Sequence, residues 1–460
     1  MSGTTGTRRT GPGGWVWLLA RLGVRTFYRI ERIGEPLPDG ALLLVANHPN
    51  TLLDPALIQA TAGRPVRFLA KSTLFAGHPM SPFIRGSGAI PVYRKIDPGV
   101  DTSRNTEMFA AVAAALAAGE AVCLFPEGIS HSGGRLEPLR TGAARMALTS
   151  AAAGHPVTIV PIGLNFDHVA RFRSKVTAVF GRSFATGDHL VLHAADAAGA
   201  VRELTDRIAQ RLRRLMVEAE PRHDLPVVVR IDRLYAAARG VSRDPREQLG
   251  RRRLIAEGMA QLRDRDPEQL ASITARVNDY DASLTRFGLR ERDVDRRIPF
   301  SAAARFVARE GLLAPVLAPL ALAGLAVFAA PYWLTGWLNR RAPDLKSRAA
   351  WQVVGGGLIY GTWIGALGAV VASQAGAAAG GATTAGLFVL AFAGVHAIER
   401  EAAVMRTVRA FFALRQTPLA ARAALRRQRA ALAAVLDQTH EWLQEGVSEA
   451  PAAATRERPG

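Results

Sequence analysis

The chain has 460 residues, more than one hydrophobic core usually serves, so two or three units are expected. Lys and Arg number 58 against 39 Asp and Glu, a net charge of +19, and only four of the basic residues are lysines (Lys71, Lys95, Lys175, Lys346). Apolar residues at 49% exclude a mostly disordered chain, and the single Cys123 excludes a disulfide framework or a multi-cysteine zinc or iron–sulfur site.

So much positive charge calls for an acidic partner, either nucleic acid or an anionic lipid surface. Residues 311–338 and 349–398 contain no Asp, Glu, Lys or Arg, and about 20 apolar residues suffice to cross a bilayer. Membrane lipid is therefore the expected partner. With no aromatic-rich basic motif in the chain, no nucleic acid is expected.

In chain order, residues 1–39 read as a polar tail followed by an amphipathic helix over about 15–30, with Trp15, Trp17, Phe27 and Tyr28 as its aromatics. That helix either lies in the membrane interface or packs on its own domain. Residues 40–185 alternate short apolar runs with helical stretches. Strands are expected at 41–46, 66–70, 89–93, 121–125, 157–162 and 176–180, and helices at 108–118 and 142–153. Near-continuous apolar strands alternating with helices indicate an α/β domain, a mostly parallel central sheet flanked by helices. Residues 200–218 form a helix with Leu204, Ile208, Leu212 and Leu215 on one stripe, closing this domain near 220. A charged helical domain (221–300) follows, then membrane helices (301–400), a C-terminal Ala/Arg/Leu-rich helix (401–446) and a tail (447–460).

Basic residues flank every apolar stretch: Arg296, Arg297, Arg305 and Arg309 before the first, Arg340, Arg341, Lys346 and Arg348 after it, and Arg400, Arg406 and Arg409 after the last. Three simple spans place one basic cluster on the outer face, against the positive-inside tendency. A spanning hairpin of about 351–372 and 384–398 fits better. The 311–338 segment, a poor straight helix because of Pro315, Pro319 and Pro331, then re-enters or lies in the interface.

Four blocks within 40–185 carry chemistry. In Val45-Ala46-Asn47-His48-Pro49-Asn50-Thr51-Leu52-Leu53-Asp54, a histidine leaves a buried strand and an aspartate follows six positions later. The two meet if His48 sits in a loop and Asp54 one turn into the next helix, with Pro49 at its first position and Asn50 or Thr51 as cap. His48 then removes a proton while Asp54 orients its ring. In Gly86-Ser87-Gly88-Ala89-Ile90-Pro91-Val92-Tyr93-Arg94-Lys95 the glycines permit close backbone approach. Arg94 offers a fork suited to phosphate; of Arg94 and Lys95 only one faces the site. In Leu124-Phe125-Pro126-Glu127-Gly128-Ile129-Ser130-His131 a carboxylate stands at a strand's end, placed to bind an acceptor hydroxyl or fix an arginine. His131 is an anion ligand or a structural turn residue. This block continues to Leu139-Arg140-Thr141-Gly142, a turn into a helix. The last block, Val157-Thr158-Ile159-Val160-Pro161-Ile162, reads as scaffold.

Together and in this order the blocks resemble the glycerolipid (phospholipid/glycerol) acyltransferase family, over about a third of the chain. The stretch Ala70-Lys71-Ser72-Thr73-Leu74-Phe75 is similar to the family's connection between its first two blocks. The resemblance implies an acyltransferase domain over 40–220, with His48 as general base, Asp54 its partner, Arg94 a phosphate ligand, and Glu127 and Gly128 acceptor-site residues. Asn47, Gly88 and Arg140 complete the expected binding set. The implied reaction moves a fatty acyl group from acyl-CoA or acyl-carrier protein, as co-substrate, to a hydroxyl, with no cofactor, metal or covalent enzyme intermediate. Five residues separate His48 from Asp54 where four is commonest, and Ile-Ser-His follows Glu-Gly where many members have Thr-Arg. These departures resemble the branch acylating glycerol-3-phosphate or dihydroxyacetone phosphate, and they leave Arg140 or Arg145 as the second cation for the acceptor phosphate. A lysophosphatidate or other lysophospholipid acyltransferase is the alternative, and a non-catalytic lipid-binding scaffold a further one. The expected location is the cell membrane, multi-pass or hairpin-anchored, with the catalytic domain cytoplasmic.

Overall fold

The computed structural model describes residues 14–76, 80–94, 96–97, 99–131, 133–242, 244–295, 300–342 and 345–448. Lys95, Arg296, Arg297 and the terminal tails lie outside the described residues. The chain packs as two units, Met1–Glu218 with Arg341–Val354, and Ala219–Arg340 with Gly355–Gly460.

The first unit opens with helix α1 (Gly14–Phe27), which runs directly into strand β1 (Tyr28–Ile33). Then come β2 (Leu42–Ala46), α2 (Leu53–Thr61), β3 (Val66–Lys71), α3 (Ser81–Gly86), β4 (Ile90–Val92), α4 (Asn105–Ala117) and β5 (Ala121–Leu124). α5 (Gly142–Ala152), β6 (Thr158–Phe166), β7 (Ser174–Phe180), β8 (Phe184–Ala185), α6 (Leu190–Ala195) and α7 (Ala197–Arg213) complete it. The sheet order is β1-β7-β6-β2-β5-β3-β4, with β8 also on β6. From β6 to β4 every neighbouring pair is parallel; β7 and β8 run antiparallel to β6, and β1 is parallel to β7.

Strand β2 shows why its sequence is apolar throughout. Side chains alternate between the faces of a strand. Leu42, Leu44 and Ala46 join Val24 of α1 and Leu57 and Ile58 of α2 in one core. Leu43 and Val45 join Val112 and Leu116 of α4, Leu148 of α5, and Leu204, Ile208 and Leu212 of α7 in the other. Burying a Leu or Ile side chain stabilises by about 1.5–3 kcal/mol, so both faces hold this strand centrally.

Two local expectations change. The first helix stops at Phe27, and 28–33 is a strand that the expected helix partly covered. Phe27 and Tyr28 are accordingly buried rather than interfacial. The rest of α1 is divided: Val16 and Val24 are buried, while Trp15, Leu18, Leu19 and Leu22 form an exposed apolar stripe. The helix after β2 begins only at Leu53, so Pro49 stays in the loop and neither Asn50 nor Thr51 caps it. Thr51 there takes the left-handed conformation, with φ 42°.

The second unit is helical: α8 (Leu225–Arg239), α9 (Pro245–Arg265), α10 (Pro267–Arg286) and the long α11 (Phe300–Asn339). The chain then returns to the first unit, where α12 (Leu345–Ala350) adds Ala349 and Ala350 to the core beside α1 and α2. α13 (Gly356–Ala375), α14 (Ala377–Gln416) and α15 (Leu419–Ser448) belong to the second unit. α15 packs against α8 and α10. Among the described residues three segments are long and apolar enough to cross a membrane: Ala304–Asn339, Ser347–Ala375 and Ala377–Gln416. α11 is one helical run despite its three internal prolines.

Gly34 turns the chain after β1 at φ +109°, and a Cβ there would lie 2.1 Å from the Phe180 carbonyl oxygen. Gly34→Ala should carry about 1–3 kcal/mol of backbone strain in addition to that clash. A thermal unfolding midpoint well below wild type is expected; an unchanged midpoint would show that this turn relaxes freely.

Candidate active site

Strands β2 and β5 are parallel neighbours with Val45 opposite Leu124. His48 and Glu127 each lie three residues beyond that pair, so they leave the sheet level with each other. The two loops are joined through the backbone. The His48 N–H donates to Glu127 Oε1 at 2.9 Å, and the His131 N–H donates to the His48 carbonyl at 3.1 Å. Ser130 Oγ accepts the Thr51 N–H at 3.0 Å.

Asp54 stands in the first turn of α2, fully buried. Its Oδ2 accepts from His48 Nδ1 at 2.9 Å and from the Asn50 N–H at 2.7 Å. Six positions in the chain thus become a direct contact because the loop folds back before the helix starts. Burial raises the Asp54 carboxyl above the ordinary carboxylate range, opposed by the hydrogen bonds and charge from His48 and the N–H of Asn50. With the ring proton on Nδ1 facing this acceptor, Nε2 is the basic nitrogen of the neutral imidazole. The ring stacks on Phe125, centroids 4.0 Å apart and planes 10° apart, and the side chain is 18% exposed. It is fixed in orientation yet open to solvent on one side.

Glu127 is buried, and both its oxygens are engaged. Oε1 holds the His48 N–H, and Oε2 accepts from the Glu137 N–H at 2.9 Å and from His131 Nε2. The Gly133 N–H donates to His131 Nδ1 at 3.2 Å, which places the ring proton on Nε2, facing the carboxylate. Glu127 was expected to meet an acceptor hydroxyl or an arginine; here its carboxylate ties the backbone of the loop after β2 to the loop after β5. The value of His131 as part of this tie was not visible in the sequence, since the partner atom on His48 is a backbone amide.

Arg94 lies two residues past the end of β4. Its fork meets Asp97, Nε to Oδ2 at 2.9 Å and Nη2 to Oδ1 at 2.7 Å, while Nη1 donates to the Gly128 carbonyl at 2.9 Å. The Arg94 hydrogen bond holds the Asp97 carboxyl below its usual range. Gly128 has φ +73°, and a Cβ there would sit 2.8 Å from Arg140 Nε. Arg140 is exposed, and its N–H donates to the Pro126 carbonyl at 2.8 Å. Arg94, Gly128 and Arg140 are therefore one cluster beside Glu127.

Two residues of the expected binding set stand elsewhere. The Asn47 amide is buried and pairs with the backbone of β6, accepting the Leu164 N–H at 2.7 Å and donating to the Leu164 carbonyl at 3.1 Å. It clamps the end of β2 to β6. Gly88, φ +72°, takes the turn from α3 into β4. By the pairings Leu69–Ile90 and Phe68–Cys123 it lies level with the middle of β5, short of the carboxyl ends that carry His48 and Glu127. Among the described residues no cluster of three or more His, Cys, Asp or Glu is placed to ligate a metal.

The family model described as Acyltransferase matches residues 29–165, the span that contains this whole arrangement. Residues 29–165 are an acyltransferase-family domain. The resemblance read from the four blocks is borne out at that level. Glycerol-3-phosphate O-acyltransferase 1 of Saccharomyces cerevisiae is 30% identical over 242 residues, 51% of this chain and 31% of that protein. Glycerol-3-phosphate O-acyltransferase 2 of the same yeast is 30% identical over 193 residues, 41% of this chain and 26% of that protein. The chain thus spans less than a third of the length of these relatives. Among solved structures, the 1-acyl-sn-glycerophosphate acyltransferase PlsC of Thermotoga maritima is 17% identical with a TM-score of 0.33, covering 45% of this chain and 82% of that one.

In the acyltransferase domain the Glu127 tie makes a sharp prediction. Glu127→Gln keeps the shape, but whichever way its amide turns, its NH2 faces an N–H donor. A buried donor left without its acceptor costs about 1–3 kcal/mol. Denaturant unfolding should show a loss of that size, and wild-type stability would mean the carboxylate is not bound as described.

Proposed function

We propose that the acyltransferase domain moves a fatty acyl group from acyl-CoA or acyl-carrier protein to a hydroxyl of glycerol-3-phosphate or dihydroxyacetone phosphate, at the cytoplasmic face of the cell membrane. The observation that carries the reading is the His48–Asp54 contact: an imidazole held by its Nδ1 proton on a buried carboxylate, with its basic Nε2 left for substrate. His48 Nε2 takes the proton of the acceptor hydroxyl as that oxygen attacks the thioester carbonyl. The C–O bond forms, the C–S bond breaks, and the thiolate leaves and takes up the proton. Asp54 holds the ring in one tautomer and stabilises the imidazolium that forms.

The acceptor phosphate belongs near Gly128. Arg94 shares its charge with Asp97, so it acts as a buttress, and exposed Arg140 is the freer cation for the phosphate. Glycerol-3-phosphate is preferred over a lysophospholipid because Ile-Ser-His follows Glu127-Gly128, and His131 is committed to Glu127. The three membrane-length apolar segments support a membrane location.

The test is an acceptor panel with one acyl thioester, read by thiol release from purified protein in detergent. Turnover with glycerol-3-phosphate and none with lysophosphatidate is expected; the reverse would overturn the acceptor assignment. His48→Ala should lower turnover by about 10²–10⁴-fold while unfolding like wild type, and a fully active variant would remove His48 from the mechanism.

A further inference from the structure

α11 has the length and composition of a membrane span, but its packing does not follow the path of one. α13 and α14 form an antiparallel hairpin that turns at Gly376. A Cβ on Gly380 would lie 2.4 Å from Ala372 Cβ, and one on Gly368 would lie 2.0 Å from Thr384 Oγ1. Small residues thus bring the two backbones together, as in membrane helix pairs. Residues at similar distances from Gly376 face each other, so distance from that turn measures position along the hairpin.

Against this scale α11 passes from α14 to α13 without following either arm of the hairpin. Glu310 pairs with Arg400, 24 residues past the turn. Gly324 packs on Gly394, 18 residues past it. Trp363, 13 residues before the turn, donates its Nε1–H to the Val327 carbonyl at 3.0 Å. Phe328 stacks on Tyr360 at 5.6 Å between centroids. The sites of added Cβ atoms on Gly356 and Gly355, 20 and 21 residues before the turn, contact Thr335 and Leu338. A helix lying straight beside the hairpin moves along it by as many residues as it advances itself. α11 does not.

At 1.5 Å per residue, its contacts sit about 36 Å from the turn at Glu310, about 20 Å at Val327 and about 32 Å at Leu338. The hydrocarbon core of a bilayer is about 30 Å thick. With the turn at the far face of a bilayer about 30 Å thick, all of these contacts fall in the half nearer the opposite face.

The chain path agrees independently. α12, just after α11, packs its Ala349 and Ala350 into the core that also contains Leu57 and Ile58. Before α11, no described helix is long and apolar enough to cross a membrane. A spanning α11 would place parts of one folded core on opposite faces of the bilayer. At the other end, α15 follows α14 and packs on α8 and α10, which precede α11. Both relations require that α11 begin and end on one face.

We infer that α11 lies within one leaflet without crossing the bilayer, that α13 and α14 are the two spans, and that the lipid surface is the partner of α11's exposed face. Arg305, Arg309, Arg340, Arg341, Arg348, Arg400, Arg406 and Arg409 then all lie on one side, where anionic headgroups meet them. The inference rests on the membrane reading and not on the catalytic one, so its test is independent of acyl transfer.

Cys123 is the sole cysteine and is buried, so Cys123→Ala gives a cysteine-free chain. Into it are placed, singly, Ser301→Cys and Arg340→Cys at the two ends of α11 and Ala377→Cys at the hairpin turn, all at exposed positions. Sealed vesicles of each orientation are treated with a membrane-impermeant maleimide, and labelling in detergent sets the full signal. Ser301→Cys and Arg340→Cys should label in the same vesicle orientation, and Ala377→Cys in the opposite one. Labelling of Ser301→Cys and Arg340→Cys from opposite faces would overturn the inference by making α11 a span. Labelling of all three from one face would overturn it by removing the hairpin from the membrane.

Discussion

The register between two parallel strands governs the site. Val45 opposite Leu124 brings the loops after β2 and β5 out of the sheet level with each other. The His48 N–H then meets Glu127, and the His48 carbonyl meets the N–H of His131. A slip of one residue would turn every side chain of β2 to the wrong face and separate these partners. The two hydrophobic cores that clamp β2 from above and below forbid that slip. Packing energy spent on apolar side chains is in this way converted into the position of an imidazole.

On that frame the polar groups divide between two jobs. Asp54 and Phe125 act on the His48 ring, one by a hydrogen bond and one by stacking. Glu127, His131 and Asn47 act on backbone, holding strand ends and loops in place. The cluster of Arg94, Gly128 and Arg140 supplies positive charge alongside. On the proposed mechanism, preorganisation of this kind leaves His48 little to rearrange when substrate arrives. The buried carboxylate of Asp54 is the costly element, and it is tolerated because two donors converge on one of its oxygens.

Most of the fold was legible because its signals are strong. The apolar runs of β2, β5 and β6 and the Ala-rich helices have unambiguous periodicity. β1 was missed because Tyr28 and Arg29 continue the amphipathic pattern of α1, and only pairing with β7 marks the segment as a strand. The His48–Asp54 contact was readable from spacing and residue type. The roles of Glu127 and Asn47 were not, because their partners are backbone groups brought by distant segments, and a sequence does not display backbone groups as distinct. Gly88 stands in a motif, and the positive φ it takes at the turn into β4 was not visible there. The prolines of α11 were visible, but the way that helix passes from α14 to α13 needed the contacts among the three.

The most direct test of the account is the Asp54→Asn variant, assayed for thiol release with an acyl thioester and glycerol-3-phosphate. An amide at this position still accepts a hydrogen bond but no longer stabilises an imidazolium. The account predicts a fall in kcat of about 10²-fold or more, with the acceptor KM little changed, because the carboxylate serves the base and not the substrate. A variant with wild-type kcat would contradict it.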